Sequence, residues 1–177
     1  MSNQCEIRLS GSGGQGLILG GIILAEAALN DGKNAVQSQS YGPEARGGAS
    51  KAEVIISDND INYPKVRECD ILLSLTQLAC DEYLHTLKEN GVLVIDESVK
   101  TPDRDDIKVY SLPILKTASE KIRKPMVANI VALAVINQIT KVTTKESLEV
   151  AVLKRVPRGT EDINTNALKE GFNLVNA

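Results

Sequence analysis

The sequence is poor in aromatic residues and in the side chains that bind metals or form thiol sites. Its 177 residues include one Phe, four Tyr and no Trp, so the core must consist of Ile, Leu, Val and Ala. Three cysteines without a CxxC pair disfavour disulfides, a thiolate zinc site and a self-contained iron–sulfur cluster. A single histidine, His85, leaves little basis for Ser-His-Asp or Cys-His chemistry. We therefore expect this chain to supply no catalytic residue and to hold no metal.

Long basic and long apolar runs are also missing. The formal net charge is −3 and the densest basic patch, at residues 121–124, is short, which disfavours nucleic acid and anionic membranes as partners. Residues 1–6 are polar, and no apolar stretch is long enough to span a bilayer. These absences predict a cytoplasmic protein with neither a nucleic-acid nor a membrane partner.

Short apolar strands alternate with helical segments over the first two thirds of the chain. Strands are predicted at residues 6–10, 34–39, 49–57, 70–75, 92–96 and 107–112, and helices at residues 15–30 and 76–89. The last third is predicted to be helical, at residues 126–140, 143–156 and 164–175. The first three elements predict a β–α–β unit. The whole pattern predicts one α/β domain over residues 1–177, with a Rossmann-like, mostly parallel sheet covered by helices and a helical C-terminal third.

Two of the predicted helical segments, residues 17–29 and 126–136, are apolar on all sides except for Glu26 and Asn129. A helix that is apolar all round must be buried all round. Either a generous internal core or another subunit covers these segments. Two helical glycines at positions 20 and 21 each cost about 1 kcal/mol relative to Ala. We interpret these two glycines as residues that allow the close approach of another backbone, from the sheet or from a partner chain.

A glycine turn at residues 11–16 has the pattern G-x-G-x-x-G between a predicted strand and a predicted helix. Such a turn lets an anionic group approach a helix N-terminus. The candidate binding residues are Gly11, Gly13, Gly14, Gln15 and Gly16. The acidic residue that a dinucleotide fold places about 20 residues further on is missing, because the second strand ends in VQSQ. A free-standing nucleotide- or NAD-binding Rossmann protein remains one alternative, and glycines that serve only strand–helix packing remain another.

A second loop, SYGPEARGG at residues 40–48, follows the second predicted strand and should emerge at the same carboxyl edge of the sheet. Arg46 can clamp a carboxylate or phosphate by two hydrogen bonds, and Glu44 can orient it. Gly47 and Gly48 allow close backbone contact, and Tyr41 completes the candidate set. A Glu44–Arg46 pair that merely stiffens a surface loop is the alternative.

The two loops GSGGQG and SYGPEARGG, with the following SKAEVIIS, together resemble the gamma subunit of 2-oxoacid:ferredoxin oxidoreductases, most closely the 2-oxoglutarate type. The segments DILLSLT, GVLVID, NIVAL and NALKEG extend the resemblance over nearly the whole chain. The resemblance implies a multi-subunit enzyme that decarboxylates a 2-oxoacid oxidatively, joins the acyl group to coenzyme A and passes two electrons to ferredoxin. Pyruvate, a branched-chain 2-oxoacid or indolepyruvate remain alternative substrates.

The same resemblance implies a division of labour among subunits. Thiamine diphosphate and Mg are expected in the alpha and beta subunits, and iron–sulfur clusters in the beta or a ferredoxin-like delta subunit. The present chain is then a necessary but, in isolation, inactive part that holds no cofactor alone. Its expected partners are those subunits, ferredoxin through the complex and, when isolated, a second copy. We expect the two loops to bind coenzyme A or shape its approach; a purely structural docking subunit is the alternative.

Overall fold

The chain folds around a six-stranded sheet. A computed structural model describes residues 3–39 and 48–176. The strands are β1 (Gln4–Gly11), β2 (Asn34–Gln39), β3 (Ser50–Ser57), β4 (Cys69–Ser74), β5 (Leu87–Asp96) and β6 (Lys108–Leu112). The helices are α1 (Leu17–Asn30), α2 (Gln77–Tyr83), α3 (Ile114–Lys116), α4 (Ala128–Thr140), α5 (Lys145–Arg155) and α6 (Glu161–Asn176). Shorter helical turns at Leu84–Thr86, Thr117–Lys121 and Pro125–Val127 follow α2, follow α3 and precede α4.

The strand order across the sheet is β2-β3-β1-β4-β5-β6. Strands β1, β4, β5 and β6 are parallel, whereas β3 is antiparallel to both of its neighbours, so β2 runs in the same direction as β1. The predicted α/β fold, with a mostly parallel sheet and a helical C-terminal third, is confirmed. The predicted β–α–β unit also forms, but β3 lies between its two strands.

The first helix ends where the sequence predicts. Gly32 adopts the left-handed conformation, with φ of 77°, and the N–H of Lys33 donates to the carbonyl of Ala28 at 3.0 Å. This is the hydrogen bond of a Schellman C-cap, in which a glycine reverses the chain without a Cβ penalty. The chain then enters β2 two residues later.

The predicted helix at residues 76–89 is too long. Helical structure ends at Thr86, and β5 begins at Leu87, which pairs with Cys69 of β4. The predicted helix stop at Asn90 is an irregular point within β5, with φ of 61° and an N–H that donates to the carbonyl of Asp106 at 2.7 Å. Pairing with a distant strand outweighs the local helical preference, which sequence periodicity alone does not reveal.

Smaller differences occur in the helical third. Thr144, and not Thr143, caps α5, because its Oγ1 accepts the N–H of Ser147 at 3.2 Å. The hydroxyl of Thr143 instead donates to Oδ1 of Asn137 at 3.1 Å, in the core. Helix α3 and the helical turn Thr117–Lys121 that continues it are not predicted from the sequence. Helix α6 begins at Glu161, three residues earlier than predicted.

Two apolar layers cover the sheet, and α4 is central to the larger one. Its residues from Ala128 to Asn137 are all buried by this chain alone, mainly by α6, α1 and the sheet. The alternative of a generous internal core is therefore correct for α4, and no partner subunit is needed to cover it. Within residues 3–39 and 48–176, no helix has the length and apolar character needed to cross a membrane.

The glycines of α1 and α6 lie where these helices pack closely against the sheet and against α4. A Cβ on Gly20 would lie 3.6 Å from Leu9, and one on Gly21 would lie 3.3 Å from Ala52. These neighbours are side chains of the sheet, so within this chain the two glycines make room for side chains of the sheet rather than for its backbone. A backbone contact occurs instead at Gly171 of α6, where a Cβ would lie 2.5 Å from the carbonyl oxygen of Val131 in α4.

Candidate functional site

Both candidate loops begin or end at one edge of the sheet. β1 ends at Gly11, which pairs with Ser50 at the start of β3, and Gln39 at the end of β2 pairs with Ala52. The chain therefore leaves the sheet after Gln39 and returns before Ser50 beside the glycine turn. Gly48 is half-buried and lies at a bend of the chain. Tyr41, Glu44, Arg46 and Gly47 lie outside the described residues.

The glycine turn is closed by its own glutamine. The N–H of Ser12 donates to Oε1 of Gln15 at 2.8 Å, and the N–H of Gln15 approaches the carbonyl of Ser12 at 3.4 Å. A Cβ on Gly11 would collide with that Oε1. Gly14 and Gly16 are left-handed, with φ of 84° and 72°. Gly14 and Gly16 are thus required by the backbone conformation of the turn, and Gly11 leaves room for the glutamine side chain that closes it.

Gly13 is the exception. Its φ lies outside the left-handed region, and a Cβ at this position would meet no atom of the described residues within 4 Å. The residue is exposed at the tip of the turn. Neither the backbone conformation nor packing against the described residues therefore accounts for a glycine here.

Asn129 fastens the turn to α4. Its Nδ2 donates to the carbonyl of Gly16 at 3.1 Å, and its Oδ1 accepts the N–H of Ile130 at 2.9 Å. A Cβ on Gly16 would lie 2.5 Å from Nδ2 of Asn129, so the glycine also makes room for this bond. The lone polar residue of an apolar helix therefore bonds a nearby loop, and the N-terminus of α4 is held against the N-terminus of α1.

A cleft of about 350 Å³ opens beside the turn. Gly13, Gly14 and Gln15 line one side, and residues from α3 and the start of α4 line the other: Leu115, Ser119, Pro125, Met126 and Ala128. The described lining contains no charged side chain. An anion in this cleft would depend on backbone N–H groups and on charges brought from elsewhere. The residues on the second side of the cleft were not among the predicted site residues, because the sequence pattern did not predict α3.

A second, more apolar groove adjoins the cleft. It has a volume of about 400 Å³ and is lined by Leu19, Ile130, Val156 and Ile163 among others. Met126 lines both cavities and is 75% exposed, although it is apolar. Both volumes fall within the range of about 300–1,000 Å³ that small-molecule sites occupy.

Asp96 sets the far wall of the cleft. Its Oδ1 accepts the N–H of Leu115 at 2.8 Å, and its Oδ2 accepts the N–H of Ser98 at 3.0 Å. The carboxylate is 2% exposed. Both oxygens therefore hold backbone groups where β5 ends and α3 begins.

The described cysteines and histidine show no reactive arrangement. Burial, with smaller charge effects, raises the pKa of Cys5 to about 12 and that of Cys69 to about 11. Burial also raises the pKa of Cys80, with a further contribution from Asp81. Protonated, buried thiols are packing residues. His85 is exposed.

A family model described as pyruvate ferredoxin/flavodoxin oxidoreductase matches residues 6–174. The chain belongs to this family. The resemblance that the sequence motifs indicate is therefore confirmed, and a free-standing NAD-binding Rossmann protein is not favoured.

Individual members of the family are similar over their full length. The 2-oxoglutarate synthase subunit KorC of Methanocaldococcus jannaschii is 51% identical, over 96% of this chain and 92% of its own length. The corresponding subunit of Methanothermobacter thermautotrophicus strain Delta H is 43% identical over 96% of this chain and 94% of its own length.

Two solved structures share the fold. The gamma subunit of a keto/oxoacid ferredoxin oxidoreductase from Geobacter sulfurreducens superposes with a TM-score of 0.88 at 51% identity, covering 98% of this chain and 99% of that chain. The 2-oxoglutarate:ferredoxin oxidoreductase of Magnetococcus marinus, solved with 2-oxoglutarate, coenzyme A and succinyl-CoA, superposes with a TM-score of 0.87 at 19% identity. That match spans 98% of this chain and 31% of the larger one, and it shows the fold alone.

Proposed function

We propose that the chain is the gamma subunit of a 2-oxoglutarate:ferredoxin oxidoreductase, and that its glycine-turn edge binds coenzyme A or shapes the path of coenzyme A to the shared active site. The full-length similarity to 2-oxoglutarate synthase subunits supports the first part. The second part depends mainly on Gly13, because no contact with the residues that the structure describes explains a glycine there.

The surroundings of the turn suit a phosphate-bearing, extended ligand. Glycines at the start of α1 allow an anion near the first backbone N–H groups of that helix, where the helix dipole is favourable. The N-cap residue, Gly16, has no side chain to compete for those N–H groups. Arg46 belongs to the segment that leaves and re-enters the sheet at this edge, and it would supply the charge that the cleft lacks.

The remaining chemistry falls to partner subunits in this proposal. The described residues contain no group of three or more His, Cys, Asp or Glu side chains that could hold a metal ion. We therefore assign thiamine diphosphate, Mg and the clusters to alpha, beta and, where present, delta subunits, with ferredoxin as the electron acceptor and the cytoplasm as the compartment.

The sharpest test is Gly13→Ala in the assembled enzyme. Because a Cβ here meets none of the residues in the described ranges 3–39 and 48–176, the stability of the subunit should not change. We expect the KM for coenzyme A to rise several-fold, while kcat at saturating coenzyme A and the KM for 2-oxoglutarate stay the same. Steady-state kinetics with ferredoxin as the acceptor measure all three constants.

Arg46→Ala should raise the same KM, by removal of the charged clamp. The matched control is Arg67→Ala, an exposed arginine that stacks on Tyr63 and precedes β4, at the opposite edge of the sheet. If Gly13→Ala and Arg46→Ala reduce only the recovery of the complex and leave the constants of the assembled enzyme unchanged, the edge is a docking surface and the coenzyme A proposal is wrong.

A further inference from the structure

A cavity of about 430 Å³ opens at the edge of the sheet opposite the glycine turn. Residues near the starts of β1, β4 and β6 line it together with the end of α4, whereas the glycine turn follows the end of β1. The apolar part of the lining consists of Cys5, Ile56, Ile71, Val92, Ile139 and Val142. A ligand in this cavity would therefore not compete with one at the glycine turn.

Three lysines also line the cavity. Lys33 lies between α1 and β2, Lys108 begins β6, and Lys141 directly follows α4. Across residues 3–39 and 48–176, no carboxylate forms an ion pair with any of the three. Segments that are distant in sequence thus bring three positive charges to one cavity without bringing a counter-charge for them.

The lysines keep donors available. Nζ of Lys33 donates to the carbonyl of Val142 at 2.9 Å, and Nζ of Lys141 donates to Oε1 of Gln138 at 3.1 Å. An ammonium group has three N–H donors, so each of these two retains two. The side chain of Lys108 is exposed and bonds no other residue in the described part of the chain.

The backbone at Lys141 is a further sign that this lysine serves more than the fold. Its φ is 54°, in the left-handed region, and its N–H donates to the carbonyl of Asn137 at 2.9 Å, which ends α4. Glycine is favoured at such a position because it has no Cβ. A lysine here is unfavourable for the backbone, but it places an ammonium group at the cavity.

The other polar residues of the lining leave the positive charge in excess. Asp70 is the one acidic residue of the described lining, and its oxygens already accept Nζ of Lys88 at 3.0 Å and the N–H of Glu6 at 2.8 Å. Tyr110 lies two residues from Lys108 in β6, so both side chains are on the same face of the sheet. Its hydroxyl has no partner among the described residues and is a further donor.

We propose that this cavity binds a small aliphatic carboxylate, with the carboxylate at the ammonium groups of Lys33, Lys108 and Lys141 and the aliphatic chain against the apolar lining. The volume is within the range of small-molecule sites. An uncharged ligand would leave the lysines without a counter-charge, and an anion without an apolar part would leave the apolar lining uncovered. The inference does not depend on the proposed function of the glycine turn.

Hexanoate is a suitable probe for the full-length, ¹⁵N-labelled chain. We expect its titration, followed by NMR, to give saturable shifts of the backbone amides of Cys5, Val92 and Val142. Acetate lacks the aliphatic chain and hexanamide lacks the charge. Each of these two should bind about 10-fold more weakly than hexanoate, or weaker still.

Two variants test the residues themselves. Lys108→Met keeps most of the apolar stem and removes the charge, so it should weaken hexanoate binding by about 10-fold. Tyr110→Phe removes only the hydroxyl and should weaken binding by about 3-fold. Lys169→Met, which removes an exposed lysine of α6, is the matched control and should leave the affinity unchanged.

Three results would overturn the proposal. Shifts that rise linearly with hexanoate and never saturate would mean that there is no site. Equal affinities for hexanoate and hexanamide would mean that the lysines do not select an anion. Unchanged affinity in both Lys108→Met and Tyr110→Phe would place the ligand elsewhere. If the spectrum of Lys108→Met shows a disturbed fold, Tyr110→Phe and the hexanamide comparison decide the matter.

Discussion

Helices α1, α4, α5 and α6 cover one face of the sheet with an aliphatic layer, whereas the other face buries Arg8 and Glu53 beside α2. The same strands build both layers. In β1, Ile7 and Leu9 enter the aliphatic layer and Arg8, between them, enters the polar one. The alternation of side chains along a strand allows one sheet to combine an aliphatic layer on one face with, on the other face, an apolar layer that also encloses a buried ion pair.

Substitutions in the two faces should therefore lower the stability of the chain for different reasons. The aliphatic face depends on how closely helices approach, as at Gly171, and contains few groups that change with pH. The polar face depends on every member of a network being present, because a buried charge without its partner is costly.

The largest effect is expected when the polar network is broken. Glu53→Ala leaves Arg8 buried without its carboxylate, and we expect a loss of about 3–5 kcal/mol in the free energy of unfolding. Urea denaturation of the full-length chain measures it. The control, Glu149→Ala, removes an exposed carboxylate of α5 and should have little effect. A loss from Glu53→Ala no greater than that of the control would show that the pair is not needed for stability.

The same carboxylate gives the polar face a pH dependence. Burial by itself raises the pKa of Glu53, but hydrogen bonds from Lys51 and Arg8, with their charges, hold it below the ordinary value of 4.5. A lowered carboxyl pKa contributes stability above the unfolded-state pKa, and this contribution is lost as the pH falls through the folded-state pKa. The wild-type chain should therefore lose more stability on acidification below about pH 5 than Glu53→Gln does. If the free energies of unfolding of the wild-type chain and of Glu53→Gln fell in parallel with pH, the pH dependence could not be assigned to Glu53.

A smaller loss is expected on the aliphatic face. Gly171→Ala places a methyl group 2.5 Å from the carbonyl oxygen of Val131 and 2.6 Å from Cβ of Ala134. Because a helix must shift to make room, we expect a loss of about 2–3 kcal/mol, measured by urea denaturation. Asn173→Ala, at an exposed position of the same helix, is the control. Equal stabilities for the two variants would mean that α4 and α6 are not in the close contact described.

The smallest effect should be a gain. Gly20→Ala adds a methyl group at ordinary van der Waals distance from Leu9 and Leu133, and it removes the helix penalty of glycine, so we expect about 0.5–1 kcal/mol of added stability. Gly21→Ala should gain less, since its methyl group would lie 3.3 Å from Ala52. Thermal unfolding of the two variants and of the wild-type chain measures both gains in stability. Destabilisation by Gly20→Ala would show that the aliphatic layer tolerates no added volume there.

Much of the architecture could be predicted because it is encoded locally. The glycines at residues 11–16, the stop at Gly32 and the alternation of Ile7 and Leu9 each act through neighbours within a few residues. The bond from Asn129 to a loop was also predictable, since a lone amide in an apolar helix needs a partner. The identity of that partner, 113 residues away in sequence, was not.

The errors concern contacts between distant residues. The helix at residues 76–89 was predicted too long because the pairing of Leu87 with Cys69 has no local signal. The wall of the cleft at Leu115 was missed because it depends on a hydrogen bond to Asp96. The burial of Arg8, which stands between Ile7 and Leu9, has no local signal either, because it depends on the packing of α2 on the sheet.

The sequence by itself determined the strand and helix order, the family and the glycine turn, since backbone conformation, periodicity and motif are properties of short segments. Only the tertiary structure decided that a Cβ on Gly16 would collide with Asn129 of α4, whereas one on Gly13 would meet none of the described residues. It also decided that Tyr83 holds the carbonyl of Ala49, 34 residues away. Burial and hydrogen bonding of this kind depend on which distant segments meet, and that is fixed only when the sheet and both of its covering layers have formed.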